Sequence, residues 1–182
     1  MLFKSVLTSV LSRVPMASIA REEEQWPTNM PLNITALSSR GGYSVLVCWQ
    51  LETEAVNARS ALNWIVSANT TQAELSIIQP RTAVGEAWAP AVQLTGVLNG
   101  LIRITAPYTP PGVNSTVEIN VAYAMPGTIS SSFLIAADLP SISTVAGHYT
   151  EFPSDEPTVL VQVPFSNNEF PAHSVLHDGP CL

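Results

Sequence analysis

The sequence has few charged residues, and their distribution excludes one class of function. Only 12% of the 182 residues are charged, against about 25% in an ordinary soluble domain. No lysine or arginine occurs after residue 103, although that last stretch contains seven acidic residues. Binding to nucleic acid depends on lysine and arginine side chains that neutralise phosphates. We therefore expect no nucleic-acid binding through the acidic C-terminal half.

A surface with so few charges does little to keep neighbouring molecules apart. Serine, threonine, asparagine, glutamine, alanine and proline must supply most of the exterior of this chain. Two explanations stay open at this point. The chain is either a secreted domain or a subunit whose surface is mostly covered by other subunits.

Sequence signatures of catalysis and of membrane insertion are also missing. No apolar run approaches the roughly 20 residues that span a bilayer. The sequence contains neither a glycine-rich phosphate loop nor a G-x-S-x-G nucleophile turn. We expect no membrane span and no cofactor, and we predict that the protein is not an enzyme.

Histidine and cysteine are scarce, and their positions favour structural roles. His173, His177, Asp178 and Cys181 lie close together near the C-terminus, with a His-x3-His spacing that occurs among zinc ligands. No second ligand pair lies upstream, so we predict a polar tail that binds no metal. Cys48 lies inside the apolar run SVLVCWQL and resembles a small buried hydrophobe. A disulfide between the two cysteines is possible, but we expect two free thiols.

From about residue 30 onward, apolar residues recur at every second position, which is typical of strands. Proline- and glycine-bearing turns separate these runs, among them the turn region at residues 79–90. The run SISTVAG, residues 141–147, is included among the predicted strands. The 15 prolines argue against long helices. We predict an all-β fold of nine or ten strands: a two-sheet β-sandwich preceded by an N-terminal arm. A jelly roll is the favoured connectivity, with Greek-key and immunoglobulin-like alternatives open. The run YSVLVCWQL is apolar on both sides and predicts a strand buried on both faces.

The alternation in STVEINVAYA, residues 115–124, predicts which side of one strand is buried. Val117, Ile119, Val121 and Tyr123 share one side, which we expect to face the second sheet. The same reasoning assigns buried positions to two other runs, AELSIIQ and TVLVQVPF. Residues 51–61 are compatible with either a short helix or a loop.

The first 20 residues have a different pattern, with apolar residues at intervals of three to four that predict an amphipathic helix. No acidic residue precedes Glu22, and Lys4 and Arg13 are basic. These features fit a targeting peptide, but we favour a docking arm that lies on a partner or on the body of the protein. The predicted division is an arm and linker over residues 1–29 and a β-sandwich with its tail over 30–182.

The four tryptophans divide into two groups. Trp49 and Trp64 fall on the apolar sides of predicted strands and are expected in the core. Trp26 and Trp88 lie beside prolines in predicted loops, where tryptophan is a candidate for subunit contacts. Trp26 and Trp88 and the apolar residues of the arm form the predicted partner-binding set: Leu2, Phe3, Val6, Leu7, Val10, Leu11, Val14, Trp26 and Trp88.

Two segments resemble the single jelly-roll coat proteins of picorna-like viruses. GLIRITAPYTPPGVNSTVEINVAYA, residues 100–124, is similar to a strand, a proline-bearing loop and a strand in those proteins. TVLVQVPFSNN, residues 158–168, is similar to a strand that ends in an apolar-proline-aromatic-serine turn. The resemblance implies a jelly-roll subunit of a virus particle that associates with itself or with a larger capsid protein.

The charge distribution refines this expectation. A subunit that lines a genome presents basic residues to it, whereas this chain has none in its last 79 residues. We therefore expect an outer, minor or decorating capsid subunit, located in the virion and forming homo-oligomers. The alternative is a secreted β-sandwich binding module of the lectin or adhesin kind, with Trp26 or Trp88 at the ligand face.

Overall fold

The computed structural model describes residues 30–58, 61–66, 69–108 and 118–181. The N-terminal arm and Trp26 therefore lie outside the described residues. No helix within the described ranges is long and apolar enough to cross a membrane. The strands are Leu32–Arg40 (β1), Tyr43–Leu51 (β2), Val56–Ala58 (β3), Ala61–Asn63 (β4), Glu74–Ile78 (β5), Thr82–Ala87 (β6), Gln93–Asn99 (β7), Ile102–Tyr108 (β8), Glu118–Ala124 (β9), Phe133–Ala136 (β10), His148–Phe152 (β11), Thr158–Pro164 (β12) and His173–Asp178 (β13), with a helix Ile129–Ser132 (α1) and a 3-10 turn Ser166–Asn168.

Strands β5 to β12 form a jelly roll, as predicted. Their antiparallel pairs are nested: β8 with β9, β7 with β10, β6 with β11 and β5 with β12. A long hairpin that is rolled up in this way gives two sheets, with strand orders β5-β12-β7-β10 and β6-β11-β8-β9. This double-sheet arrangement limits free strand edges and is shared by viral capsid domains, lectins and cupins.

The first sheet continues beyond the jelly roll. Strand β1 pairs in parallel with β10, β2 forms a hairpin with β1, and β13 pairs with the far side of β2. The full order is β13-β2-β1-β10-β7-β12-β5, which makes a seven-stranded sheet opposite the four-stranded one. A separate ribbon of β3 and β4 lies in the connection between β2 and β5.

Two apolar clusters hold these layers together. The first fills the space between the sheets and includes Leu46, Val97, Ile104 and Phe152. The second covers the outward side of β1 and β2, where Ile34, Val47 and Trp49 pack beneath half-buried Trp64 and Val66. The prediction that β2 is buried on both faces is therefore confirmed, and Trp49 lies in the core with 1% of its surface exposed.

The expectation of two free thiols is wrong, because Cys48 and Cys181 form a disulfide. Strand β13 pairs antiparallel with β2, and the chain beyond it returns to β2 through a hydrogen bond from the Gly179 amide to the Leu46 carbonyl. The two Cα atoms lie 4.7 Å apart, within the range that a disulfide can bridge. The separation of 133 residues in sequence gave no indication of this proximity.

Several elements differ from the sequence prediction. Residues 82–87 and 173–178 form strands where a turn and a polar tail are expected, and both strands lie at sheet edges. The strand expected over residues 141–147 is absent. That segment forms turns and a single bridge from Ala146 to Tyr43. The segment that allowed a short helix, residues 51–61, contains β3 and the first residue of β4 instead.

The alternation of β9 is present, but its direction is opposite to the prediction. Ala122 and Ala124 face the core, with 4% and 5% of their surfaces exposed. Ile119 and Tyr123 face outward, with 66% and 55% exposed. Val121 is half-buried on the same outward side, and Val117 lies outside the described residues.

The reason for this inversion is the size of the neighbours between the sheets. Leu46 of β2 and Ile102 and Ile104 of β8 occupy the first cluster beside β9. Interiors pack at nearly crystalline density, so the strand beside these large groups contributes small alanine side chains. The larger side chains of β9 are left on the outside of the sandwich.

Candidate interaction surfaces

The outward side of the four-stranded sheet contains two tyrosines around an ion pair. Tyr123, Arg103 and Glu151 form one row across β9, β8 and β11, because Arg103 is in register with both other residues. Tyr149 and Val121 form the next row on either side of Thr105. We call this surface the tyrosine face: Arg103, Ile119, Val121, Tyr123, Tyr149 and Glu151.

Arg103 is fixed in the middle of the tyrosine face. Its guanidinium forms a salt bridge with Glu151. The hydrogen bond to Glu151 raises the pKa of Arg103 most, and a hydrogen bond to Tyr123 raises it further. Tyr123 and Tyr149 remain 55% and 49% exposed. Tyrosine and arginine are enriched among the residues that dominate binding energy in protein interfaces. An ordered arginine between two exposed tyrosines is therefore a suitable centre for a protein contact.

A second apolar surface lies on the outward side of the jelly-roll half of the larger sheet. Leu75, Val161, Gly96 and Phe133 are in register across β5, β12, β7 and β10. The Phe133 ring lies over Gly96, where an added Cβ would be 3.1 Å from Cε1 of the ring. We call this surface the open face: Leu75, Ile77, Leu98, Phe133, Val159 and Val161.

Two further predictions, on which side of β5 and of β12 is buried, are wrong. The apolar positions of β5, Leu75 and Ile77, are expected in the core but are 64% and 65% exposed. On β12 the buried apolar residue is Leu160, whereas Val159 and Val161 are half-buried on the outward side. Because both alternating sets of β12 contain apolar residues, periodicity alone does not identify which set faces the second sheet.

Trp88, predicted to contact another subunit, is half-buried and anchored within its own chain. Its indole Nε1–H donates a hydrogen bond to the Ser143 carbonyl at 2.7 Å. Its ring packs against Gly147, where an added Cβ would lie 2.9 Å from the indole. The role of Trp88 in subunit contacts stays a prediction, while its packing against residues 143–147 is a structural finding.

This packing makes Gly147 a sensitive position. In Gly147→Ala the new Cβ would lie 2.3 Å from the Ala87 carbonyl, so the backbone must move. We expect the free energy of unfolding to fall by about 1–3 kcal/mol, as for other overpacked sites. Denaturant unfolding measures the change, with Gly85→Ala as the matched control because its added Cβ meets nothing within 4 Å. Equal effects of the two substitutions would contradict this account.

A buried polar cluster joins four segments of the chain. Asp138 is fully buried, and its Oδ2 accepts a hydrogen bond from the Ser44 hydroxyl at 2.6 Å. His148 Nδ1 lies 2.6 Å from the same oxygen, and the Ala89 amide donates to Oδ1 at 3.3 Å. In a catalytic triad the histidine stands between the serine and the aspartate, whereas here the aspartate stands in the middle. The Ser44 side chain is also shielded from solvent, with 0% exposure.

The four residues of the predicted polar tail each have a separate contact. The His173 ring stacks on Trp49 with a centroid distance of 3.6 Å, and its Nδ1 lies 2.7 Å from the Pro171 carbonyl. His177 Nδ1 lies 3.0 Å from the Asp178 carbonyl. Asp178 forms a salt bridge with Arg40, and Cys181 forms the disulfide. Within the described part of the chain, no group of three or more histidine, cysteine, aspartate or glutamate residues is placed to hold a metal ion.

The electrostatics of the described body are dominated by acidic groups. The three basic residues in the described ranges, Arg40, Arg81 and Arg103, all form salt bridges with acidic partners. The same ranges contain eleven acidic residues. Counterion release from DNA or RNA requires basic side chains directed at phosphates, and these three arginines are directed at carboxylates.

A cleft of about 670 Å³ lies where the described chain begins. Met30 and Pro31 form part of its wall, and the acidic end of β2, with Glu52 and Glu54, forms another part. The Met30 carbonyl also accepts a hydrogen bond from Trp64 Nε1 at 3.1 Å. The cleft therefore lies beside the cover over β1 and β2, which Met30 joins through this hydrogen bond.

Comparisons with known proteins give little further information. No protein-family model and no curated protein sequence matches the chain. Among solved structures, a dTDP sugar isomerase from Desulfovibrio desulfuricans G20 matches 72% of this chain and 82% of its own chain. The TM-score is 0.38 with 10% sequence identity.

Proposed function

We propose that the protein is a structural subunit of a virus particle that associates through the outward side of its four-stranded sheet. The observation that supports this most directly is the position of the large apolar side chains. Ile119 and Tyr123 of β9 face solvent while alanines occupy the core side of the same strand. Monomeric soluble proteins rarely expose extended apolar patches, and such patches mark interaction sites.

Three further features support a capsid or capsid-decorating subunit. Jelly-roll domains are common building blocks of viral shells. The low charge content leaves an exterior suited to contact with other subunits. The pairing of the described arginines with carboxylates favours an outer or decorating position rather than one against the genome.

The tyrosine face provides the test of self-association. In Ile119→Lys, a residue with 66% exposure at the edge of this face becomes charged, so we expect association to weaken at least ~10-fold, equivalent to about 1.4 kcal/mol. Sedimentation or light scattering over a range of concentrations measures the oligomeric state. Ile142→Lys is the matched control, because Ile142 is 41% exposed in a turn outside both faces.

A wild-type chain that remains a monomer at high concentration would refute self-association through this face. Imaging of native material then tests the virion assignment, because the chain is expected within or on a particle. Particles that lack the chain would leave no support for a viral role.

A second candidate is a secreted binding module, which the disulfide between Cys48 and Cys181 favours. Disulfides persist mainly in oxidising compartments, including secreted proteins and virion surfaces. A stable, glycosylated monomer would favour the secreted module, whereas an assembly disrupted by Ile119→Lys would favour the coat subunit.

A further inference from the structure

The outward side of the seven-stranded sheet is covered over only one half. Over β1 and β2 the chain provides its own cover, which includes Trp64, Val66 and Phe165. Leu94 of β7 still packs against this cover, but toward β5 and at the other end of β7 the side chains of Leu75, Ile77 and Leu98 are 64%, 65% and 59% exposed. The residues of the open face are all apolar, so this surface is complementary to another apolar surface.

The described chain begins in the layer that forms this cover. Trp64 packs over the outward side of the sheet and donates its indole hydrogen bond to the Met30 carbonyl. Registers across β1, β10 and β7 align Thr35, Leu134 and Thr95. They therefore place the beginning of β1 at the same end of the sheet as Leu98. The segment before Met30 thus joins the body on the correct side and at the correct end to reach the open face.

Residues 15–29 are long enough to connect Met30 to a segment that lies on the open face. Strand β12 is three strand spacings from β1 in the sheet order, or about 14 Å. Fifteen residues, the number in residues 15–29, can span at most about 50 Å, so this length of chain is more than sufficient. A site on the same molecule has a higher effective concentration than a site on another copy, because the chain itself tethers it to the segment.

The segment that precedes residues 15–29 has the composition that the open face requires. Apolar residues recur there at intervals of three to four, from Leu2 to Val14, and predict one continuous stripe. Its charged residues, Lys4 and Arg13, are both basic. Exposed Glu156 precedes β12 at one end of the strand pair. Exposed Glu74 begins β5 at the other end, although its position in the alternation is on the side opposite Leu75 and Ile77.

We propose that the apolar stripe of residues 2–14 lies on the open face of its own molecule and completes the cover of the seven-stranded sheet. The contact joins the stripe to Leu75, Ile77, Leu98 and Val161, while Lys4 and Arg13 are near the acidic ends of the strands. This inference selects the protein's own body over a partner as the docking site of the arm. It does not depend on the proposed function, because the open face and the tyrosine face belong to different sheets.

Photo-crosslinking from inside the stripe tests this inference. Leu7 is replaced by photoreactive benzoylphenylalanine in the full chain, which is irradiated at a concentration where it is a monomer. Mass spectrometry of the digested protein is expected to find crosslinks to residues 74–78 and 158–163 within one chain. In the same background, Leu75→Lys is expected to reduce the yield of these crosslinks at least ~10-fold, because burying an unpaired charge is costly.

Leu176→Lys is the matched control, since Leu176 is 45% exposed on β13 at the opposite edge of the same sheet. Its crosslink yield should equal that of the parent chain. Ile77→Lys is a second variant that should repeat the effect of Leu75→Lys, and circular dichroism checks that each variant is folded. Crosslinks between two chains, crosslinks to another surface, or a yield unchanged by both lysine variants would overturn the inference.

Discussion

Replacing Asp138 with alanine is expected to lower the free energy of unfolding by about 3–5 kcal/mol, since each buried polar group left without its partner costs about 1–3 kcal/mol. Asp138 is fully buried and accepts hydrogen bonds from Ser44 and from the Ala89 amide while contacting His148. Removing the carboxylate leaves these groups buried without their acceptor. Denaturant unfolding followed by circular dichroism measures the loss.

The effect of Asp138→Ala should greatly exceed that of removing an exposed ion pair. Asp155 bonds Arg81 at 2.6 Å, but both side chains are largely exposed, at 77% and 76%. Exposed pairs contribute about 0–1 kcal/mol, so Asp155→Ala is the matched control. The double variant Asp138→Ala/His148→Ala should be less destabilised than the two single effects predict, since both remove the same contact. Additive effects would show that the two residues act separately.

The second large effect is expected from opening the disulfide. Cys181→Ser should lower the free energy of unfolding by about 2–5 kcal/mol, because the bond restricts a long loop in the unfolded chain. The bond joins residues 133 positions apart and fixes the C-terminal segment beside β1, where the Cys181 amide donates to Thr35 Oγ1 at 2.9 Å. Unfolding of the parent chain with and without a thiol reductant measures the same quantity independently.

Reductant should destabilise the parent chain by about as much as the Cys181→Ser substitution and should have no effect on that variant. The Cys48→Ala/Cys181→Ala double variant separates loss of the bond from introduction of a new hydroxyl. A parent chain with the same stability in reductant would contradict a stabilising role for this bond.

The fold class and the most buried strands could be predicted from the sequence. Strands β1 and β2 were identifiable because their apolar residues are dense and their turn, with Gly41 and Gly42, is clearly marked. Strand β6 was missed because Gly85 and the flanking prolines resemble a loop, although it lies at a sheet edge where pairing on one side suffices. Strand β13 was missed because its composition is polar and its partner β2 is distant in sequence.

The tyrosine face and the open face could not be predicted from periodicity. Alternation in β9 and β5 shows that two sets of residues differ, but not which set is buried. The usual assumption that the larger apolar set faces the core fails where alanines such as Ala122 pack against large neighbours from other strands. The buried cluster around Asp138 was equally hidden, because its members come from β2, β11 and two connections. The one indication in the sequence was the position of Asp138, an acidic residue directly after an apolar run in IAADLP.

The nested pairing of the jelly roll has a consequence for biosynthesis. Strand β5, the outermost of the rolled hairpin, finds its partner only when residues 158–164 have been made, and Cys48 must wait for Cys181. Domains dominated by such distant contacts fold slowly, on the order of milliseconds to seconds. The growing polypeptide therefore leaves the ribosome with apolar strands such as β5 unpaired until residues 158–164 have been made, so its yield in cells should depend on chaperones.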